Sequence, residues 1–111
     1  MGKEKTFENR IKDFLKKEGC YFFKFWGTMY TRAGVPDLIA CVNGWFVGIE
    51  VKSEIGRASE IQMANISEIH QNKGFAVVVH PEEFEQLKEM IKAIKSGDIV
   101  KANKIEGGMQ K

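Results

Sequence analysis

Asp37, Glu50 and Lys52 are the residues of this chain best suited to chemistry, and a turn signal between them brings them together. Asn43-Gly44 separates two apolar runs, residues 38–42 and 45–49. Asn-Gly in that setting favours a two-residue type I′ hairpin turn, which needs positive φ at both central positions. The turn predicts Val42 opposite Trp45, Ala40 opposite Val47, and Asp37 opposite Glu50. Counting outward, the two acids form a non-hydrogen-bonded pair, with Cα atoms about 4.5 Å apart. Like charges directly opposite repel, so a fold that holds them there calls for a cation between them. Lys52 lies two residues beyond Glu50, on the same strand face.

Two acids and an ammonium on one face suit metal-assisted hydrolysis of a phosphodiester. Mg²⁺ (or Mn²⁺) is usually held by one or two carboxylates, with waters and substrate phosphate completing its shell. Asp37 and Glu50 supply the carboxylates, and the Val51 carbonyl at the strand edge is a further candidate ligand. A bound ion lowers the pKa of its water and polarises the scissile phosphate. Lys52 is placed to orient or deprotonate the attacking water, or to offset charge on the phosphorane. The bland alternative is a cross-strand ion pair on a wet edge. The hairpin favours the site, because the turn predicts the juxtaposition independently of the motif.

The elements that must position these residues can be read from periodicity. Phe7, Ile11, Phe14 and Leu15 recur at helical spacing and predict an amphipathic helix over about residues 5–18, stopped by Gly19. The aromatic-rich residues 21–26 predict a strand, and residues 27–36 a loop. Pro36 suits a strand start, where no ladder donor is needed. The hairpin covers 37–52. Leu38, Ala40, Val42, Val47, Ile49 and Val51 share one face; Ile39, Cys41 and Phe46 share the other. Both are apolar, so helices should cover both. Gly48 lies on the Glu50 face, and its missing side chain leaves room for a helix or a DNA backbone. A helix over 59–72, a buried strand over 75–79 and a helix opened by Pro81 and ended by Gly97 follow. The order α-β-β-β-α-β-α implies an α/β fold with a mixed central sheet between helices, the helix 59–72 crossing over to a parallel strand. Residues 1–97 make one domain. In 98–111 only Ile99, Val100 and Ile105 offer packing, and that segment is expected as a partly ordered tail.

Composition bounds the function. With 111 residues, 43% hydrophobic and 29% charged, this is an ordinary globular chain. It has no apolar run long enough for a membrane helix and no leader-like start, so a cytoplasmic location is expected. Cys20 and Cys41 are expected as free thiols there, Cys41 inside a buried strand. Seventeen basic against fifteen acidic residues say little about nucleic acid by themselves; arrangement decides. His70 and His80 lack ligand spacing with each other or with a cysteine, which argues against zinc. Phe22, Phe23, Phe25 and Trp26 are expected in the core and a subunit contact rather than stacked on bases. The lysines of the first helix, Lys12, Lys16 and Lys17, are expected on a solvated face.

Gly34-Val-Pro-Asp37, Glu50-Val-Lys52 and Gly56-Arg-Ala-Ser59 with Gln62 resemble the PD-(D/E)xK nucleases, and more narrowly the small stand-alone VRR-NUC domains, often phage-encoded. The resemblance covers about residues 7–79. It implies a restriction-endonuclease-like fold and a divalent-metal endonuclease acting as a homodimer on branched DNA such as four-way junctions. Asp37, Glu50 and Lys52 match the core catalytic positions. Glu8, on the first helix, matches an acid that reaches the metal directly or through water, and Gln62 a polar residue near a metal water or phosphate. Lys24, Thr31, Arg32, Arg57 and Ser59 are candidate DNA contacts by their position around the site. The rival of a different class is a non-catalytic DNA-binding module that keeps the nuclease fold.

Overall fold

A computed structural model describes residues 2–109. Helix α1 (Lys3–Lys17) leads into strand β1 (Tyr21–Lys24), the hairpin β2 (Leu38–Val42) and β3 (Trp45–Val51), helix α2 (Glu60–Gln71) and strand β4 (Phe75–Val79). A 3₁₀ turn (Pro81–Glu83) then opens α3 (Phe84–Ser96), and α4 (Ile99–Met109) ends the described chain. The strands form one mixed sheet in the order β1-β2-β3-β4, with only β3 and β4 parallel. This is the predicted α/β arrangement with α4 added, and it is not peculiar to restriction-endonuclease-like proteins.

The hairpin forms for the predicted reason. Asn43 and Gly44 have φ of 51° and 87°, and the ladder pairs Val42 with Trp45, Ala40 with Val47, and Leu38 with Ile49. One residue further, that register sets Asp37 across from Glu50. The face bearing Leu38, Ala40, Val42, Val47, Ile49 and Val51 packs on Phe7, Ile11 and Leu15 of α1 and on Leu87, Ile91 and Ile94 of α3. Phe7 and Phe84 meet edge to face at 5.5 Å, joining the two helices.

Helix α2 covers the other face. A Cβ on Gly48 would stand 3.0 Å from the Pro36 ring and 3.2 Å from Ile69, so the missing side chain admits α2 and Pro36. The cover is partial. Cys41 is exposed and Phe46 is half exposed, which corrects the expected burial of Cys41: α2 spans only part of this face. Beside them on β1, Tyr21 and Phe23 are also exposed.

Residues 98–109 were expected as a tail; instead α4 is a formed helix. Gly97 ends α3 at φ 84°, and the Asp98 carboxylate accepts the Lys101 N–H at 3.1 Å, a new helix start one residue later. Ala102 and Met109 are buried. Glu106 accepts the Ala76 N–H at 2.9 Å, and the His70 ring meets the Ala76 carbonyl at 2.9 Å. These contacts occupy the outer edge of β4. The two glycines 107–108 hide this helix from a propensity reading. Among the described residues, no helix is long and apolar enough to cross a membrane.

Candidate metal centre

The sheet ends where β2 runs out at Asp37. In the hairpin ladder the N–H and C=O of 45, 47 and 49 turn toward β2, so those of Val51 turn the same way, past the last β2 residue. The Asp37 carboxylate takes the freed donor: Val51 N–H gives a 2.9 Å hydrogen bond to Oδ2. The Val51 carbonyl, by the same alternation, lies on the Asp37 side. Asp37 is thus anchored at both levels, its backbone carbonyl accepting the Phe25 N–H at 2.8 Å.

Glu50 sits beside it on a central strand, between β2 and β4, and is 2% exposed. Its Oε2 pairs with Lys52 Nζ at 3.2 Å, while Oε1 is buried with no N–H or ammonium donor and the carboxyl stands beside that of Asp37. Burial, then the charge of Asp37, push the Glu50 carboxyl up to about 7 against the opposing pull of Lys52. An ionised buried carboxylate with an idle oxygen is costly unless a cation meets it. The donor set fits a hard divalent ion, which two carboxylates and a backbone carbonyl would hold while water and phosphate oxygens complete its shell. Among the described residues no group of three or more His, Cys, Asp or Glu gathers as a metal nest. The centre is an acid pair.

Glu8 does not join it. Lys24 pairs with Leu38 on the α1 face of the sheet, and Glu8 is bound there, with Oε1 accepting from Lys24 Nζ at 2.8 Å. Its Oε2 lies 3.2 Å from Lys12 and 3.5 Å from Lys5. Burial raises the Glu8 carboxyl, but Lys24 and Lys12 outweigh it and hold it below the ordinary carboxylate range. Glu50 points to the opposite face by strand alternation, and the Asp37 carboxylate lies at the end of β2 on the Val51 N–H. Lys12 is correspondingly part of this cluster rather than simply solvated.

Gln62 and Ser59 serve each other. The Gln62 N–H donates to Ser59 Oγ at 3.2 Å and the Ser59 N–H to Gln62 Oε1 at 2.8 Å, a capping box at the start of α2. The Gln62 amide nitrogen and the second lone pair of Oε1 are left to reach a ligand. Thr31 Oγ1 closes a turn with Thr28, accepting its N–H at 2.8 Å and donating to its carbonyl at 3.1 Å. Arg32 pairs with Glu68. Of the candidate DNA contacts, Arg57 alone has no such tie among the described residues; it lines a cavity of about 700 Å³ with Glu54, Met63, Val78 and His80.

That cavity is closed on one side by a histidine clip. His80 Nε2 meets the Gly56 carbonyl at 2.8 Å and Nδ1 meets Glu83 Oε1 at 3.0 Å. Both partners only accept, so the protonated ring is the form that satisfies both bonds at once. Burial lowers the His80 pKa, but the Gly56 and Glu83 bonds, with the charges of Glu83 and Glu82, outweigh it and raise it. The clip's stabilisation is full below about 6.5 and is lost as pH rises through the higher folded value. An NMR titration of the ring should therefore give a midpoint above 6.5, and Glu83→Gln should lower it. An unchanged midpoint in the variant would contradict the clip.

Sequence reasoning missed the surface just before Asp37. Trp26, Met29 and Tyr30 are 70%, 86% and 89% exposed; for Trp26 this excludes the core, while the expected subunit contact is compatible with it. Phe22 does pack on the core. The only available signal was aromatic residues beside a long loop. No family model, curated protein or solved structure matches this chain, so the nuclease reading rests on the motif residues and their geometry alone.

Proposed function

We propose that this protein is a divalent-metal-dependent endonuclease that hydrolyses phosphodiester bonds in structured DNA, four-way junctions among them, as a homodimer in the cytoplasm of a bacterial or phage-infected cell. One observation carries the reading: a buried Glu50 with an unpartnered oxygen, held across a hairpin from Asp37 and paired with Lys52. Nothing in folding alone rewards that arrangement.

Asp37, Glu50 and the Val51 carbonyl would hold Mg²⁺ or Mn²⁺. When bound, the ion supplies charge neutralisation at the phosphate and acidification of a water. Lys52 offers its ammonium to the phosphate oxygens, where it would offset charge developing on the phosphorane, and to the attacking water, which it would orient. The Val51 N–H fixes Asp37 Oδ2, so one acid is pre-oriented before substrate arrives. Glu8 has no role in this scheme except to hold Lys24, Lys12 and Lys5. Preference for branched DNA comes from the family resemblance. A second copy fits physically, since paired cuts at a symmetric branch need two sites about a two-fold axis; the free β1 edge with exposed Tyr21 and Phe23 is a surface suited to it.

The second reading is a DNA-binding module without catalysis; among the described residues no third acid joins the pair. One experiment separates them. End-labelled four-way junction, flap and linear duplex are incubated with wild type or Asp37→Asn, in Mg²⁺, Mn²⁺ or EDTA. The nuclease predicts metal-dependent cuts, at least a hundredfold reduced in the variant, with binding kept or improved as phosphate repulsion falls. Tight metal-independent binding with no cutting of any substrate would establish the module instead.

A further inference from the structure

Trp26 is 70% exposed although it follows a strand whose Phe22 packs on the core. Its ring has cations beside it: Lys24 Nζ stands 5.1 Å and Lys5 Nζ 5.8 Å from the centroid. Lys5, Lys12 and Lys24 surround one carboxylate, Glu8. Three ammoniums against one acid leave this corner with two excess positive charges.

One residue on, a turn holds two more large side chains outward. Thr28 and Thr31 are joined by the bonds already described, and Tyr30 N–H donates to Thr28 Oγ1 at 3.1 Å. Asn65 Nδ2 donates to the Ala33 carbonyl at 3.1 Å and anchors the far side of the loop to α2. Met29 and Tyr30 are therefore presented on an ordered support, at no gain to the fold. The segment is tied to the acid pair through the backbone, because the Phe25 N–H, next to Trp26, bonds the Asp37 carbonyl, while Lys5 and Lys24 stand on the α1 face of the sheet.

We propose that Trp26 and Tyr30 form a stacking platform for unpaired nucleobases of a DNA strand, with Lys5 and Lys24 taking the adjoining phosphates. An exposed indole flanked by ammoniums offers in one place a π-face for a base and positive charge for its backbone. In a paired duplex the base faces are already stacked, so this surface would select ends, flaps or opened branch points. The proposal rests on the nuclease reading and names the part of the substrate that the loop holds.

The test is metal-free binding, with EDTA present so that cleavage plays no part. Fluorescence of Trp26 is followed in a Trp45→Phe background while single-stranded oligonucleotide, forked DNA or blunt duplex is added. Quenching by single-stranded and forked DNA, and little by duplex, is expected. Trp26→Ala and Tyr30→Ala should each weaken fork affinity about fivefold to a hundredfold, Trp26→Phe should restore most of it, and duplex affinity should hardly change. Both side chains are exposed, so their truncation leaves folding intact. If Trp26 is not quenched and both alanine variants bind forks as wild type does, while wild type cuts DNA with Mg²⁺, the platform is wrong and the nuclease stands. Equal losses on fork and duplex would make Trp26 a general contact and also overturn the platform. No binding and no cutting at all would remove both readings.

Discussion

Glu50→Gln should abolish metal-dependent cleavage and, without metal, make the protein more stable than wild type above pH 7. The two effects have one cause. In the folded protein Glu50 holds its proton to about pH 7, because it is buried and faces Asp37; unfolded, it titrates near its ordinary value of 4.5. A raised carboxyl pKa means that the folded state binds more protons in that window. Its contribution is most favourable below about 4.5 and is lost as pH rises toward 7. The loss is on the order of 3 kcal/mol. Glutamine cannot ionise, so the variant escapes it, less what Lys52 forfeits when its partner becomes neutral.

Thermal unfolding in EDTA should then show wild type and Glu50→Gln similar at pH 5 and separated at pH 8. Adding Mg²⁺ or Mn²⁺ at pH 8 should raise the wild-type melting temperature, by roughly 2.7 kcal/mol of stabilisation at a hundred times the dissociation constant. The variant should respond little. Indifference of both proteins to metal, together with a pH-independent gap, would sink the metal-centre reading. A gap that depends on pH without any metal response would leave a buried acid pair with no ion to serve.

Gly34→Ala should cost roughly 2–5 kcal/mol and lower the melting temperature by at least about 10 °C. Gly34 has φ +82°, and a Cβ there would stand 2.7 Å from both Asn65 Nδ2 and the Ile61 carbonyl oxygen. Neither neighbour can yield. Ile61 contributes helix backbone, and Asn65 is 7% exposed with its amide donating to Ile61 O at 2.8 Å and Ala33 O at 3.1 Å. The loop would have to lift from α2 at the point where it turns into Pro36 and Asp37, so activity should fall with stability. Gly27→Ala in the same loop is the contrast: its Cβ would meet nothing closer than 3.8 Å, and its melting temperature should stay within a degree or two. Equal stability of the two variants, measured by circular dichroism, would refute the clamp between this loop and α2.

Local chemistry determined the hairpin and therefore the acid pair. Asn43-Gly44 has one comfortable turn, and strand alternation carries its register outward to Asp37 and Glu50 without help from distant residues. The amphipathic α1 and α3, the Ser59–Gln62 box and the strand 75–79 are equally local, since each is written in spacing or in a cap. Tertiary structure alone decided what required knowing which face meets which. It turned Glu8 toward Lys24, behind the sheet, because α1 packs on the core face while Glu50 projects from the other. It left Cys41 and Tyr21 exposed and Phe46 half exposed because α2 lies mainly over β4 and β3. It recruited α4, whose glycines forbid a local forecast, through burial of Ala102 and Met109 and the reach of Glu106 to β4. It also raised Glu50 to about 7, since a pKa depends on solvent excluded by neighbours far apart in the chain.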